Sequence, residues 1–263
     1  MQLLHARLIA RLDVKAPFLV KGIQFEGLRK LGDPSEYARQ YYLKGIDEIY
    51  YEDTVASLYE RNNLTDILRR TTEEVFIPIT VGGGLRDLED IAVALKNGAD
   101  KVAINTAAIK RPDFLNEISD QFGSQCLVLS VQAKKKGASW EAYYDNGREP
   151  SGLDVVDWVL EGQDRGVGEI LLTSVDRDGT KKGLDIQLVR AAGERLRIPL
   201  IASGGIGTPQ DCADAILEGG ADAVAIATTL HYRTCELEDI RACCDAHNIK
   251  TRRIQPDNWP KRG

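Results

Sequence analysis

The chain contains 263 residues with a formal net charge of −6, of which 43% are hydrophobic and 28% charged. This acidic balance argues against a nucleic-acid-binding surface, and no apolar run is long enough to predict a membrane span. The first 14 residues mix charged and apolar side chains, which predicts a strand rather than a signal peptide. The length suits either two small domains or one large barrel.

The cysteines are odd in number and lack the paired spacing of zinc or redox motifs. The five are Cys126, Cys212, Cys235, Cys243 and Cys244. This pattern is typical of reduced thiols, so we expect a cytoplasmic protein. Neither a metal site nor a cofactor is predicted.

Residues 79–108 and 200–229 share one pattern: a buried strand, a glycine bend, a helix, a Gly-Ala-Asp step and a second buried strand. Matching Gly82-Gly83 to Gly204-Gly205 and Asp100 to Asp222 gives an offset of 122 residues in both cases, which predicts a repeat without a gap. Because this offset is close to half the chain, we predict one closed domain built from two similar halves.

Short apolar runs alternate with helical patterns along the chain, and the runs have the continuous apolar character of parallel strands covered on both faces. The predicted strands span residues 7–13, 48–53, 77–82, 101–105, 126–131, 169–173, 200–203 and 223–227. The predicted helices include residues 34–44, 63–75, 87–97, 112–122, 154–165, 185–196 and 209–218. This alternation predicts an α/β fold, the (β/α)8 TIM barrel. We assign residues 1–249 to the barrel and 250–263 to a basic C-terminal extension, expected to be weakly ordered.

Two connections are longer than the others. Residues 14–34 carry Lys15 and Lys21 and follow the first strand, and either a mobile lid or an ordered connection fits them. Residues 133–153 contain Asp145-Asn146-Gly147 between aromatic flanks, which predicts a small hairpin above the barrel.

Functional side chains of this fold lie at the C-terminal ends of the strands and in the loops that follow. Glycines there let the backbone approach an oxyanion, and helix starts offer free amides to it. We predict one phosphate site at Gly83, Gly84, Asn105 and Thr106, and a second at Asp178, Gly179, Gly204, Gly205 and Thr228. Further residues of the mouth are Asp53, Thr173 and Ser203. Tight turning alone is the alternative explanation of the glycines, but two matching copies favour a substrate with a phosphate at each end.

Asp13 ends the otherwise apolar strand ARLIARLD, where a carboxylate in a partly desolvated mouth can act as a general acid or base. The alternative is a carboxylate that only anchors a loop. Its counterpart in the second half is Gln132, whose amide cannot transfer a proton in this way.

Four charged residues lie at or near the N-terminal starts of four strands, at the opposite end of the predicted barrel. They are Arg7, Glu48, Lys101 and Glu169. Either the four converge in a ring, or they are solvated rim charges of little energetic weight. Their spacing alone favours the rim charges.

Several strings of the sequence are together specific, and they extend from about residue 7 to residue 232. They are RLDVK, LVKG, GDP, TVGGGLR, GADKVAINTAA, FGSQC, GEILLTSVDRDGT and ASGGIG. With them the sequence resembles the cyclase subunit of imidazole glycerol phosphate synthase. The related sugar isomerase of the same pathway lacks the combined FGSQ and GEILLTSVDRDGT strings.

The resemblance implies that ammonia, released from glutamine by a glutaminase subunit docked at the N-terminal face, passes through the barrel. At the mouth it would attack a bisphosphorylated formimino aminoimidazole carboxamide ribonucleotide, giving imidazole glycerol phosphate and the carboxamide nucleotide. The resemblance also implies that Arg7, Glu48, Lys101 and Glu169 form an ammonia gate, which reverses the preference from spacing. Asp13 would be the principal acid or base, and Lys21 the loop residue over the substrate.

The sequence departs from the family pattern at one catalytic position and in two loops. Gln132 stands where the family has a second catalytic acid, and the text differs at residues 15–18 and 57–63. Losing one proton-transfer group lowers a rate by roughly 10²- to 10⁴-fold. A second hypothesis is therefore an ammonia-conducting subunit that serves amidino-sugar formation in surface-glycan biosynthesis. A phosphosugar isomerase is a third, and it has no use for the gate charges.

Overall fold

Alternating strands and helices form a barrel in a computed structural model, which describes residues 4–56 and 64–253. The described strands are β1 (Leu4–Lys15), β2 (Phe18–Ile23), β3 (Glu26–Gly32), β4 (Glu48–Asp53), β5 (Ile79–Gly82), β6 (Lys101–Ile104), β7 (Leu127–Lys136), β8 (Ser139–Tyr144), β9 (Glu149–Asp154), β10 (Glu169–Ser174), β11 (Leu200–Ser203), β12 (Ala223–Ile226) and β13 (Ile249–Thr251). The described helices are α1 (Pro34–Leu43), α2 (Thr65–Glu74), α3 (Leu88–Lys96), α4 (Thr106–Lys110), α5 (Asp113–Phe122), α6 (Val155–Asp164), α7 (Ile186–Gly193), α8 (Pro209–Leu217), α9 (Thr228–His231) and α10 (Leu237–Ala246).

Eight parallel strands close the barrel, because β1 pairs with β4 on one side and β12 on the other. The ring continues through β5, β6 and β7 to β10, β11 and β12. All residues of β4, β5, β11 and β12 are buried. This explains the mostly apolar character of β5, β11 and β12, whereas β4 carries buried acidic residues at both ends. The predicted (β/α)8 barrel is confirmed, and α4, α9 and α10 are additions to the seven helices predicted.

The two halves repeat with a change of offset rather than without a gap, so the predicted register was wrong by one residue. Strands β5 and β11 and helices α3 and α8 are offset by 121 residues, whereas β6 and β12 are offset by 122. The equivalent glycine pairs are Gly83-Gly84 and Gly204-Gly205, which all have positive φ. The additional residue lies at Gly219-Gly220, where the first half has only Gly98.

The aspartate of each Gly-Ala-Asp step fastens the start of a neighbouring strand. Asp100 Oδ2 accepts a hydrogen bond from the Ile79 amide at 2.8 Å, and Asp222 Oδ2 accepts one from the Leu200 amide at 2.9 Å. A carboxylate that accepts from a backbone amide fixes that strand at the bottom of the barrel. The repeated Gly-Ala-Asp motif therefore has a structural role that does not depend on any ligand.

The first long connection is an ordered hairpin of β2 and β3, of which β2 pairs with the end of β1. Its turn residues Gln24 and Phe25 have φ of +52° and +64°. The Gln24 amide donates to the Asp178 carbonyl at 2.9 Å, and its side chain donates to the Asp176 carbonyl at 2.9 Å. This hairpin, residues 18–32, therefore lies across the barrel mouth and contacts the loop after β10.

The second long connection contains the predicted hairpin, which is formed by β8 and β9. Asp145, Asn146 and Gly147 turn it, with φ of +48°, +57° and +74°. Asn, Asp and Gly tolerate this left-handed region, so their sequence identified the turn correctly. Strand β7 extends beyond the barrel and pairs with β8 through Gln132.

Strand β13 crosses the predicted boundary at residue 249, since Leu4 pairs with Ile249 and Ala6 with Thr251. The chain up to residue 253 therefore stays on the N-terminal side of the barrel. Residues 254–263 of the predicted extension lie outside the described residues, as do the divergent residues 57–63.

Other composition-based expectations concern thiols and membranes. None of the five cysteines forms a disulfide. Among the helices described here, none combines the length and the apolar character needed to cross a membrane.

Candidate active site at the barrel mouth

Side chains of the barrel strands alternate between the interior and the helices, because successive residues of a strand face opposite ways. Along β1 the inward residues are Arg7, Ile9, Arg11 and Asp13. They reach a charged ring at the bottom, an apolar layer in the middle and the mouth at the top. The same order recurs on β4 at Glu48, Tyr50 and Glu52, which pair with β1 through Ile9, Arg11 and Asp13.

Asp13 is held between two cations in the mouth. Arg11 Nε lies 2.9 Å from Asp13 Oδ1, and Lys21 Nζ lies 2.8 Å from Asp13 Oδ2. Lys21 Nζ is also 2.9 Å from Asp178 Oδ2, and all four residues are buried. Burial alone would raise the pKa of Asp13, but Lys21 and Arg11 outweigh it and hold the pKa well below its usual range. Asp13 is therefore ionised at any physiological pH.

Arg11 was missed by the sequence analysis, although it faces the interior two residues before Asp13. Its Nη1 donates to Thr173 Oγ1 at 3.0 Å, across the barrel. Its guanidinium lies 5.4 Å from the ring centre of Phe25 and 5.6 Å from that of Tyr50. A basic residue at an inward position of an otherwise apolar strand was the signal that could have found it.

Glu52 was also missed, and it is a second buried carboxyl group in the mouth. The Tyr50 hydroxyl donates to Glu52 Oε2. Burial raises the pKa of Glu52 to about 8, Arg11 opposes the increase, and Asp13 and Asp53 reinforce it. An inward glutamate in the run IYYED was the available signal, since charged groups are rarely buried without a partner or a purpose.

The first predicted phosphate site is assembled as a cavity of about 400 Å³. Gly83, Gly84, Asn105 and Thr106 line it together with Glu52, Gln132 and three cations that the sequence analysis did not single out, Arg86, Lys110 and Arg111. Thr106 Oγ1 accepts from the Asp145 amide at 3.1 Å, so the turn of the second hairpin forms part of the wall.

Some of the residues predicted for this site have structural partners of their own. The Asn105 side chain donates to the Ser130 and Tyr143 carbonyls at 2.9 and 3.1 Å, which ties β6 to β7 and β8. A side chain on Gly83 would come within 2.3 Å of the Asp53 carbonyl oxygen. Close backbone packing thus accounts for Gly83, and binding of an anion there stays a prediction.

The second predicted site is only partly assembled. Gly179 and Thr228 line a separate cavity of about 550 Å³, with Lys21, Arg29 and Lys181 as its cations. Gly204 and Gly205 do not line that cavity, because they pack against backbone. A side chain at these positions would meet the carbonyl oxygens of Ser174 and Gly183 at 2.5 and 2.3 Å.

The remaining predicted mouth residues are buried in hydrogen-bonded positions. Asp53 Oδ1 accepts from the Val55 amide at 3.0 Å, and Ser203 Oγ donates to the Ala225 carbonyl at 3.4 Å. Thr173 holds Arg11, and Asp178 holds Lys21. These four residues therefore shape the mouth around the ion-paired Asp13.

Gln132 lies in the wall of the 400 Å³ cavity and is only 3% exposed. Within residues 4–56 and 64–253, its side-chain oxygen has no hydrogen-bond partner. A buried polar atom without a partner carries a cost of about 1 to 3 kcal/mol. The amide is thus suited to accept a hydrogen bond from a bound molecule.

At the bottom of the barrel the four charged residues converge into a closed ring. Arg7 Nη1 lies 2.6 Å from Glu48 Oε1 and pairs with Glu169 through Nη2. Lys101 Nζ lies 3.2 Å from Glu48 Oε2 and 2.8 Å from Glu169 Oε2. Burial alone would lower the pKa of Arg7, but the two glutamates outweigh it and raise the pKa. The solvated rim charges favoured by spacing alone are therefore not what the structure contains.

Between the ring and the mouth lies an apolar layer with a small cavity. Its volume is about 10 Å³. The lining is Ile9, Tyr50, Thr80, Val128, Leu171, Ile201 and Ala225. This is about the volume that one water-sized molecule needs.

Comparison with known proteins decides the family. A family model described as "Histidine biosynthesis protein" matches residues 7–236. The chain belongs to this family. The subunit HisF of imidazole glycerol phosphate synthase from Legionella pneumophila is 57% identical over 204 residues, 77% of this chain and 96% of the relative. The HisF subunit of Myxococcus xanthus is 49% identical over 91% of this chain and 95% of the relative. That of Thermosynechococcus vestitus is 43% identical over 99% and 95%.

Membership of the histidine-biosynthesis family confirms the resemblance inferred from the sequence motifs. The similarity to HisF subunits extends over nearly the whole chain. The hypothesis of an ammonia-conducting subunit is not favoured, because these relatives all carry the name of the synthase subunit.

Proposed function

We propose that this chain is the cyclase subunit of imidazole glycerol phosphate synthase. It would use ammonia to convert the bisphosphorylated formimino aminoimidazole carboxamide ribonucleotide to imidazole glycerol phosphate and the carboxamide nucleotide. The observation that carries the proposal is similarity to HisF subunits over nearly the whole chain. No cofactor is needed for this reaction, and we expect it to take place in the cytoplasm.

The substrate would lie across the mouth with one phosphate in each cavity. The first phosphate fits the glycine bend at Gly83 and Gly84, where exposed cations such as Lys110 line the wall. The second fits beside Gly179 and Lys181. Glycines allow close approach to an oxyanion, and the cations neutralise its charge. The reacting atoms would then lie between the cavities, close to Asp13.

Asp13 would act as a permanent carboxylate rather than as an acid. Because Lys21 and Arg11 keep it ionised, it can stabilise positive charge that develops on the attacking nitrogen. Lys21 reaches it from the β2–β3 hairpin, so this hairpin completes the site. Gln132 would accept a hydrogen bond from the substrate and would not transfer a proton.

Ammonia would enter through the ring of Arg7, Glu48, Lys101 and Glu169. An open depression of about 740 Å³ adjoins part of this ring, and Lys250 and Thr251 of β13 line it. A glutaminase subunit docked there would deliver ammonia directly to the ring. The small apolar cavity above it would then carry neutral ammonia, since an ammonium ion cannot cross an apolar layer without a large desolvation penalty.

The direct test supplies the purified chain with the bisphosphorylated substrate and ammonium at mildly alkaline pH. We expect imidazole glycerol phosphate to form, and Asp13→Asn to slow its formation by roughly 10²-fold or more through lost charge stabilisation. Asp13→Asn also removes a counter-ion from two buried cations, so its melting curve must accompany the rate measurement.

Lys15→Met is the control, because Lys15 is exposed and lies two residues after Asp13 on β1. It should turn over as the unaltered chain does. Absence of turnover by the folded, unaltered chain would contradict the proposal. Tight binding of a glutaminase without turnover would instead support an ammonia-conducting subunit.

A further inference from the structure

We propose that Glu52 is the proton-transfer group of this barrel and replaces the acid that is missing at Gln132. The inference rests on the proposed cyclase function and adds a catalytic residue to it. It follows from the position of Glu52, its surroundings and its charge state, which separate it from Asp13.

Glu52 lies beside Asp13 in the wall of the mouth. The two residues are partners in register on the adjacent parallel strands β4 and β1. One layer below, Arg11 and Tyr50 are partners in the same way. Arg11 binds Asp13, whereas Tyr50 binds Glu52. The two carboxyl groups are therefore neighbours with different partners, one a cation and the other a neutral hydroxyl.

Glu52 also faces the space that a substrate would occupy. It lines the 400 Å³ cavity together with Gln132, Gly83 and Gly84. One phosphate of the substrate would bind at the glycines of that cavity. A group on its inner wall, next to Asp13, is close to the middle of a substrate whose other phosphate lies near Gly179.

The Tyr50–Glu52 pair is tightly packed on the side that faces Gly82. A side chain on Gly82 would come within 2.6 Å of the Tyr50 hydroxyl oxygen and 2.7 Å of Glu52 Oε2. Gly82 is the register partner of Glu52 on β5. The absence of a side chain at Gly82 thus makes room for the Tyr50–Glu52 pair.

The charge states of the two carboxyl groups suit different roles. Burial raises the pKa of Glu52 to about 8, while Lys21 and Arg11 keep the pKa of Asp13 well below its usual range. The charged or titratable groups that act on Glu52 are Arg11 and Asp13 on β1, and Tyr50 and Asp53 on its own strand. Two neighbouring carboxyls with separated pKa values are the usual arrangement of an acid and a permanent anion.

The step assigned to Glu52 is addition of ammonia to the keto carbon of the substrate's ribulosyl group. The nitrogen lone pair forms the new C–N bond, and the C=O electron pair moves onto the oxygen. That oxygen takes the proton of the Glu52 carboxyl group and becomes a hydroxyl. The Glu52 carboxylate then takes one proton from the positively charged nitrogen, which leaves a neutral carbinolamine and regenerates the acid. Asp13 stabilises the transient positive charge without changing its protonation state.

Ammonia-dependent turnover of the folded chain, measured across a pH range, tests this inference. At a constant concentration of neutral ammonia, we expect the rate to fall as pH rises through about 8, since Glu52 then loses its proton. Glu52→Gln should lower turnover by roughly 10²- to 10⁴-fold and remove this alkaline limb. Tyr50→Phe removes the hydroxyl that stabilises the ionised carboxylate, so it should move the limb to higher pH.

A rescue experiment separates proton transfer from a structural role. Introducing Gln132→Asp into the Glu52→Gln chain should recover part of the lost turnover, because it restores an acid to the same cavity. The exposed Glu89→Gln serves as a charge-matched control and should keep the rate and the pH profile of the unaltered chain.

Two outcomes oppose the inference and can be told apart. If the unaltered chain is active and Glu52→Gln keeps its rate and its alkaline limb, Glu52 is not the acid, although the cyclase function stands. If the unaltered chain is folded but inactive, the cyclase function fails and takes the role of Glu52 with it.

Discussion

At the scale of single residues, the chemistry of the mouth depends on how two carboxyl groups are solvated. Asp13 loses water but gains Lys21 and Arg11, so its ionised form is favoured. Glu52 loses water and, among residues 4–56 and 64–253, gains the Tyr50 hydroxyl as its direct partner, so its neutral form persists to about pH 8. Two acidic residues in adjacent strands thus carry different charges at neutral pH.

The raised pKa of Glu52 predicts how stability depends on pH. Below about pH 4.5, its ordinary value, Glu52 is protonated in both the folded and the unfolded chain. Between that pH and about 8 the unfolded chain releases the proton and the folded chain keeps it. Each pH unit in this window therefore lowers the free energy of unfolding by up to about 1.4 kcal/mol through this one group.

Glu52→Gln removes this dependence, so the variant should unfold at higher urea concentration than the unaltered chain at pH 8 and at a similar one at low pH. Urea denaturation of both chains across the pH range measures the difference. A constant difference at every pH would show that Glu52 is already ionised when folded at neutral pH.

At the scale of elements, two hairpins on the C-terminal side of the barrel shape the mouth. The β2–β3 hairpin carries Lys21 to Asp13, and it rests on the loop after β10 at Gly179. The β8–β9 hairpin places Asp145 and Asn146 in the wall of the first cavity. Gly147 at its turn packs against Phe25, so the two hairpins touch above the site.

Gly179→Ala should disturb this contact. Gly179 has φ of +72°, and an added side chain would lie 2.5 Å from the Gly22 carbonyl oxygen. We expect a loss of stability of about 1 to 3 kcal/mol and easier proteolytic cleavage within residues 18–32.

Gly137→Ala is the matched control, because Gly137 has φ of +61° but open space where the side chain would go. It should show the backbone strain alone, without increased cleavage of the first hairpin. Equal effects of the two substitutions would mean that the contact with Gly22 does not hold the hairpin down.

At the scale of the whole molecule, the barrel interior has a polar layer at each end and an apolar layer between them. The bottom layer is the ring of four alternating charges, and the top layer contains Asp13 and Glu52. An apolar layer separates the two, so a charged species entering at the bottom would have to give up its charge before it reached the top. This order fits a protein that receives a small neutral molecule at one face and uses it at the other.

Arg7→Ala or Lys101→Ala should therefore uncouple the two faces of the assembled complex. Each substitution leaves two buried glutamates with one cation, which opens the ring. We expect more glutamine to be hydrolysed per imidazole glycerol phosphate formed, with turnover on added ammonium nearly unchanged. Lys96→Ala, on the outer helix α3, is the control. An unchanged ratio of glutamine hydrolysed to product formed in both ring variants would rule out a gating role.

The sequence predicted the barrel well because its strands are buried on both faces and its helices begin and end at recognisable residues. It also predicted the turn at Asn146 and the position of Asp13 at the mouth, whereas the role of Asp13 stays a prediction. It placed the half-barrel register one residue off, since three successive glycines at residues 82–84 offer two alignments with Gly204-Gly205. It missed Arg11 and Glu52 because a charged residue inside an apolar strand does not reveal which neighbour it will meet.

The sequence by itself determined the fold, the family, the position of Asp13 at the mouth and the four charged residues at the opposite end. Only the tertiary structure decided that four rim charges close into a ring, that the mouth divides into two cavities, and that Asp13 and Glu52 are neighbours. These properties depend on distances between strands far apart in the chain, such as Arg7 and Glu169, which pair across 162 positions. The charge states of the side chains depend on such distances and on burial, and the local sequence determines neither of them.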